Sequence, residues 1–176
     1  MTSDEFAALT DVSRETLSRL DAYLGLMKLW QGAINLVGPA TLADPWRRHI
    51  LDSAQLLRYT PASPGTIYDL GSGAGLPGLI LAIMGQTGVN LVESDQRKAQ
   101  FQKEAIRSLG LDVKVHAQRI DSLPLGCADL VTARALAPLP RLLDLSAGLL
   151  RPNAFCLWLC FQILCIFHFT PSPRLH

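Results

Sequence analysis

The chain has 176 residues, of which 49% are hydrophobic and 18% charged, and its formal net charge is +1. This composition excludes a disordered chain, and the near-neutral charge excludes binding to nucleic acid through bulk charge alone. Its four cysteines lack the spacing of a disulfide framework, and the N-terminus lacks the pattern of a signal peptide, so we expect a cytoplasmic protein that binds no membrane.

Residues 1–60 are predicted to form an N-terminal helical extension. Ser13 is a suitable N-cap for a helix in which leucines recur at helical spacing. Asp44 is placed to cap a second helix, since Pro45 suits the first helical position. The extension is expected to be part of a single domain.

Residues 61–159 are predicted to form an α/β core because strand-like and helix-like segments alternate. Such alternation predicts a doubly wound, mostly parallel sheet with right-handed crossovers. The predicted strands lie near residues 66–70, 89–93, 112–116, 128–133 and 154–159.

Residues 160–176 form an atypical tail. The overlapping run 154–169 is almost continuously apolar and contains three of the four cysteines. It is shorter than the ~20 residues needed to span a bilayer, and it would favour aggregation if exposed. We expect residues 170–176 to be too short to add further sheet, and we expect the last strands of the sheet to be incomplete.

A glycine-rich turn joins the first predicted strand to an apolar helix. Glycine adopts positive φ and has no Cβ, so a ligand can lie close to the backbone, and the helix directs the positive end of its dipole toward that ligand. The pattern predicts a nucleotide-type binding corner, with a ligand-free structural turn as the alternative. The glycines are Gly71, Gly73, Gly75 and Gly78.

Two classes of cofactor fit this corner. Counted from Gly73, the glycines match the dinucleotide pattern G-x-G-x-x-G, with Glu93 20 residues further on. Counted from Asp69, they match the acidic and glycine pattern of S-adenosylmethionine-dependent methyltransferases. Asp69 favours the second class, because its carboxylate would repel a pyrophosphate but could hold an ammonium group. In both cases Glu93 is placed to accept hydrogen bonds from a ribose.

Four polar residues lie close together upstream of the corner, and three of them are candidates for ligand contacts. His49, Asp52 and Ser53 lie too close together on one helix to converge as a catalytic triad, so no catalytic residue is assigned. We expect Arg48, His49 and Asp52 to face the cofactor or the substrate, with a local cap and surface ion pair as the alternative. No spacing of His, Cys or Asp predicts a metal site.

Downstream candidates follow the later strands. Arg134 ends the fourth predicted strand, where parallel sheets bind ligands, and could contact a guanine edge or a cofactor carboxylate. An ion pair of Arg134 with Asp69 or Glu93 is the structural alternative. Asp121 is placed to accept an adenine amino group while Ile120 packs on the ring, although Asp121 could equally be a simple cap.

Basic residues on the helix after the second strand are interleaved with acidic ones. This pattern is typical of a solvated helix face, and Arg97 and Lys98 are its best candidates for contacts to RNA phosphates.

Together these motifs resemble the bacterial small-subunit ribosomal RNA guanine-N7 methyltransferase family, also called glucose-inhibited division protein B. The resemblance extends from about Leu24 to Leu159. Its motifs are Trp30 with Asn35-Leu36, Arg48 to Ser53, Asp69 to Gly78, Glu93 with Arg97, Lys98 and Phe101, Arg119 to Asp121, and Val131 to Ala135 with Pro138.

The resemblance implies a Rossmann-like methyltransferase sheet with S-adenosylmethionine as its cofactor. It implies methyl transfer by a monomer to N7 of a guanine in 16S ribosomal RNA, either free or in the small ribosomal subunit. Cys160 stands where the family continues with Lys-Gly, which is the departure from the pattern. The implied cofactor contacts are Gly71, Leu76, Ile120, Asp121 and Arg134, with Glu93 on the ribose.

The predicted chemistry requires alignment of the reactants and no base. Guanine N7 carries a free lone pair and the transferred methyl is already activated, so alignment can contribute ~7–11 kcal/mol of the barrier reduction. Two alternatives stay open at this point: a nicotinamide-dependent oxidoreductase, and a truncated relative that binds cofactor or RNA without turnover.

Overall fold

The computed structural model describes residues 1–160 and 163–170. Its centre is a six-stranded sheet in the order β3-β2-β1-β4-β5-β6. Strands β1 to β5 are parallel, and β6 runs antiparallel to β5. The strands are β1 (Ile67–Leu70), β2 (Val89–Val92), β3 (Lys114–His116), β4 (Ala128–Arg134), β5 (Leu150–Cys160) and β6 (Ile163–His168).

The prediction of a doubly wound α/β fold is confirmed. The chain moves outward from β1 through β2 to β3 and then returns to place β4 on the other side of β1. The order of the strands therefore reverses between β1 and β4, and a crevice opens at the carboxyl ends of these strands. The helices are α1 (Ser3–Thr10), α2 (Arg14–Gln31), α3 (Asp52–Ala54), α4 (Gly78–Ile83), α5 (Gln96–Leu109) and α6 (Leu139–Ala147).

The second helix of the extension is less regular than predicted. It consists of a π-helical turn over Trp46–Leu51, the short α3 and a 3-10 turn over Gln55–Tyr59. Asp44 does cap its start, since its Oδ1 accepts a hydrogen bond from Arg47 N at 3.2 Å. The predicted N-cap of α2 is also present, with Ser13 Oγ accepting from Thr16 N at 3.1 Å.

The sheet separates two apolar clusters because alternate residues of each strand point to opposite faces. In β1, Ile67 packs with the helical extension, α4 and α5, whereas Tyr68 packs on the other face with residues of α6. Phe6 and Leu20 from the extension are fully buried in the first cluster. Residues 1–60 therefore share one core with the sheet. No helix among residues 1–160 and 163–170 is long and apolar enough to cross a membrane.

The tail contributes a strand that the sequence analysis did not predict. Residues 163–168 form β6, which pairs with β5 from Phe155 opposite His168 to Cys160 opposite Ile163. The apolar run is rich in residues that favour strands. Phe167 places its ring 5.1 Å from that of the buried Trp158. Pairing with the apolar strand β5 explains why this segment extends the sheet although its sequence has no recognisable strand motif. Residues 171–176 lie outside the described part of the chain.

A matched pair of substitutions tests how β6 packs against β5 and in which register. Phe167→Ala should lower the free energy of unfolding by about 2 kcal/mol, because it removes packing against Trp158. Ile166→Ala, one residue earlier on the same strand, should cost about 0.5 kcal/mol or less, because Ile166 is 47% exposed. Urea denaturation measures both, and equal losses would contradict the register of β5 and β6.

Candidate functional site

A cavity of about 1060 Å³ lies beyond the carboxyl ends of β1 and β4. The turn after β1, the helical segment around residues 48–55 and the residues after β4 form its walls, and part of β6 closes one side. The cavity therefore lies at the point where the strand order reverses, as expected for a nucleotide site. The predicted site residues on its walls are Arg48, His49, Asp52, Gly71, Gly73, Leu76, Lys98 and Arg134.

The glycine turn brings its backbone to the cavity surface at Gly73. Gly73 has φ of +54°, and a Cβ built on it would meet no protein atom closer than Gly71 O at 3.9 Å. Gly71 differs, because a Cβ there would lie 2.4 Å from Leu136 Cδ1. The turn thus leaves room for a ligand at Gly73, while Gly71 is needed for close packing against the residues after β4.

Three side chains from distant parts of the sequence hold this turn in shape. Glu93 Oε2 accepts a hydrogen bond from Gly73 N at 2.8 Å, and Gln102 Nε2 donates to Gly73 O at 2.8 Å. The hydroxyl of Tyr23 in α2 donates to Ala74 O at 2.8 Å, and burial raises the pKa of Tyr23. Contacts within the protein therefore fix the backbone conformation of the turn.

Tyr23 and Gln102 were missed by the sequence prediction. Both are completely buried polar residues on helices. Hydrogen bonds to the turn satisfy the Tyr23 hydroxyl and the Gln102 amide nitrogen, whereas Gln102 Oε1 has no partner among the described residues. The available signal was a polar side chain among the apolar positions of α2 and α5.

Asp69 lies beneath the turn and outside the cavity lining. It is completely buried, and its carboxylate accepts hydrogen bonds from Gly78 N and Thr132 Oγ1, both at 2.9 Å. Burial raises the pKa of Asp69 to about 7, although both hydrogen bonds and Arg134 favour the charged form. The structure thus shows Asp69 bracing the start of α4, and it does not bring the carboxylate to the cavity surface.

The raised pKa of Asp69 predicts a pH effect on stability. Because the folded pKa of about 7 exceeds the ordinary 3.8, the folded state binds the proton more tightly than the unfolded state. The stability of the wild type relative to Asp69→Asn should therefore fall as the pH rises from 4 toward 7, by at most about 1.4 kcal/mol per pH unit, and then level off. Urea denaturation of both proteins across this range tests it, and a pH-independent difference would contradict it.

Arg134 is tied to the helical extension. Its Nη1 donates to Arg48 O at 3.0 Å, and its Nη2 lies 3.1 Å from His49 Nδ1. Among the residues that the structure describes, Arg134 forms no salt bridge, so the alternative pairing with Asp69 or Glu93 is absent. Two of its five N–H groups are used in these bonds, and Arg134 also lines the cavity.

His49 is neutral in this environment. Burial, together with the neighbouring Arg134 and Arg48, lowers the pKa of His49 to about 4. Arg134 can only donate, so Nδ1 must be the acceptor and the ring proton must sit on Nε2, which lies 3.0 Å from Thr41 Oγ1. Both ring nitrogens are therefore occupied, and His49 is not placed to act as a base toward a ligand.

The remaining polar groups give the cavity a mixed charge. Asp52 faces it from α3, and burial raises the pKa of this carboxyl. Arg48 Nε is buried and has no hydrogen-bond partner within the described chain. Lys98 reaches the cavity from the first turn of α5, whereas the neighbouring Arg97 donates to Ala33 O. No group of His, Cys, Asp or Glu among the described residues could hold a metal ion.

Ile120 and Asp121 lie outside the cavity lining. They form a 3-10 turn after β3, in which Asp121 makes an exposed ion pair with Arg119 at 3.0 Å. Ile120 packs against the cluster on the α6 face of the sheet. The predicted contact of these residues with an adenine stays a prediction.

Comparison with known proteins identifies the family. Residues 16–160 match the model of the GidB family, described as rRNA small subunit methyltransferase G. Over 154 residues the chain is 53% identical to the ribosomal RNA small subunit methyltransferase G of Rhodospirillum rubrum, covering 88% of this chain and 77% of that protein. The corresponding protein of Rhodospirillum centenum is 52% identical over 154 residues, with 88% and 71% covered.

A solved structure supports the fold. An S-adenosylmethionine-dependent methyltransferase from Aquifex aeolicus superposes with a TM-score of 0.54 at 22% identity, covering 68% of this chain and 69% of that one. At this identity the likeness shows the Rossmann-like fold alone. The cofactor inferred from the motifs, S-adenosylmethionine, is confirmed by the family, and neither the oxidoreductase nor the non-catalytic alternative is supported. The chain belongs to the rRNA small subunit methyltransferase G family.

Proposed function

We propose that this chain methylates N7 of a guanine in 16S ribosomal RNA, either free or in the small ribosomal subunit, with S-adenosylmethionine as methyl donor. The observation that carries the proposal is the glycine turn, whose backbone is already held open toward the cavity at Gly73. Membership of a family described as small-subunit rRNA methyltransferases supports the choice of substrate.

Residues in and around the cavity fit the proposed cofactor. Gly73 offers backbone space for the adenosyl and methionine parts, and the free N–H groups of Arg134 suit the methionine carboxylate. Glu93 uses one lone pair of each carboxylate oxygen on the backbone, so further lone pairs are available for ribose hydroxyls. Leu76 adds an apolar wall, and Ile120 and Asp121 are proposed to contact the adenine.

The reaction needs no proton transfer in its chemical step. When bound, S-adenosylmethionine would supply a methyl group on a positively charged sulfur, and the lone pair of guanine N7 would take this methyl as the S–C bond breaks. The products are cationic 7-methylguanine and neutral S-adenosylhomocysteine. The residues around the cavity are therefore asked to align the two reactants and to exclude water.

Lys98 and Arg48 are proposed to contact the RNA substrate. Lys98 stands at the rim of the cavity on α5, where it can meet a phosphate. Arg48 lines the same cavity, so its guanidinium is proposed to contact the substrate as well. His49, by contrast, has both ring nitrogens engaged within the protein.

Calorimetric titration with S-adenosylmethionine, with NAD as the control, tests the first step. The second step is incubation of the chain and labelled cofactor with either free 16S RNA or small subunits. We expect label in 7-methylguanine, located by chemical cleavage of the RNA at the modified base. Saturable cofactor binding with label at another atom of the RNA would overturn the assignment to N7, and binding of NAD alone would overturn the choice of cofactor.

A further inference from the structure

A chain of hydrogen bonds leads from Arg134 into the helical extension. Arg134 Nη2 donates to His49 Nδ1 at 3.1 Å, and His49 Nε2 lies 3.0 Å from Thr41 Oγ1. The hydroxyl of Thr41 donates to Gly38 O at 2.7 Å, so its oxygen is left as an acceptor for the ring N–H. The donor and the acceptor of every hydrogen bond in this series are therefore defined.

We propose that His49, held in one tautomer by Thr41, is a positioning residue that fixes Arg134 for the cofactor. The inference rests on the proposed contact of Arg134 with the methionine carboxylate. His49 itself is 1% exposed and makes both of its bonds within the protein, so it acts through Arg134.

The physical gain is preorganisation. An unrestrained Arg134 side chain would lose its rotamer freedom on binding, and this loss would weaken the affinity. The bonds to His49 Nδ1 and Arg48 O remove that freedom in advance and fix the plane of the guanidinium. The N–H groups not used by the protein then point in a fixed direction before the ligand arrives.

The tautomer is essential to this arrangement. If the ring proton moved to Nδ1, two donors would face each other across the 3.1 Å contact with Arg134. Thr41 prevents this, since its oxygen offers an acceptor only to a proton on Nε2. Thr41, which also lines the cavity, therefore supports the acceptor form of His49 that the bond from Arg134 requires.

Calorimetric affinity for S-adenosylmethionine, measured on variants of the full chain, tests the proposal. His49→Leu fills the space but lacks the acceptor, and should weaken binding about tenfold. His49→Asn places an amide oxygen near the position of Nδ1, and should recover most of that loss. Thr41→Val should weaken binding while Thr41→Ser should not.

A double-mutant cycle separates positioning from a general structural effect. In an Arg134→Met background, which should itself bind weakly, His49→Leu should cause no further loss. Normal binding by Arg134→Met would overturn the proposed role of Arg134. Weak binding by Arg134→Met together with normal binding by His49→Leu would overturn the positioning role alone, as would fully additive losses.

Nitrogen NMR of the wild type gives a readout that needs no variant to fold. At neutral pH the Nδ1 of His49 should resonate as an unprotonated nitrogen and Nε2 as a protonated one. A proton on Nδ1, or a charged ring, would overturn the proposal.

Discussion

Replacing Gly73 by alanine is expected to weaken binding of S-adenosylmethionine at least tenfold while leaving the protein folded. The added Cβ meets no protein atom closer than 3.9 Å, so it occupies space that lies open beside the cavity-lining backbone. A methyl group placed where a ligand lies against the backbone forces that ligand to shift, and a loss of ~1.4 kcal/mol is already a tenfold change. Calorimetric titration measures the affinity.

Gly110→Ala is the matched control for this substitution. Gly110 ends α5 with φ of +63°, close to the +54° of Gly73, and a Cβ there would meet nothing within 4 Å. Both variants should therefore lose a similar ~1 kcal/mol of stability from the left-handed backbone. Only Gly73→Ala should lose cofactor affinity. Normal binding by Gly73→Ala would show that the ligand does not lie against the turn.

Gly78→Ala is expected to destabilise the protein by about 2–4 kcal/mol. A Cβ on Gly78 would lie 2.4 Å from Leu91 Cδ2 and 2.8 Å from Asp69 Oδ2. Asp69 cannot move aside easily, because its carboxylate is held by Gly78 N and Thr132 Oγ1. The substitution therefore disturbs the brace beneath the turn. Urea denaturation measures the change in the free energy of unfolding.

Gly25→Ala is a control that is expected to change the stability in the opposite direction. Gly25 lies within α2, where an added Cβ would meet nothing within 4 Å and the backbone has no positive φ. Alanine forms helices better than glycine, so this variant should be more stable by up to about 1 kcal/mol. A loss of stability in both variants would indicate that the contacts around Gly78 are not the cause.

The parts of the fold that depend on local pattern could be predicted from the sequence. The glycine turn and strands β1 to β5 have a clear local pattern, and the structure contains each of them. Strand β6 could not be predicted, because its stability depends on pairing with β5 and on packing against Trp158. The tail sequence alone shows only an apolar run.

The same distinction between local sequence pattern and long-range contact applies to the site. Sequence analysis placed Arg48, His49 and Arg134 at the ligand cleft, and all three line the cavity. It could not show that His49 accepts a hydrogen bond from Arg134, since the two residues are 85 positions apart. It also assigned Asp69 to the ligand, whereas burial and two hydrogen bonds place it in support of the turn.

The hydrogen bond from the Tyr23 hydroxyl to Ala74 O limits which segments can be exchanged between members of the family. It spans 51 positions and joins the helical extension to the ligand turn, so a crossover near residue 60 would separate its two partners. A chimera with phenylalanine at position 23 would leave the carbonyl of Ala74 without its donor in a buried place. Chimeras that keep a tyrosine at position 23 should retain the shape of the turn. The residue at this position therefore indicates whether a helical extension and a core taken from two relatives are compatible.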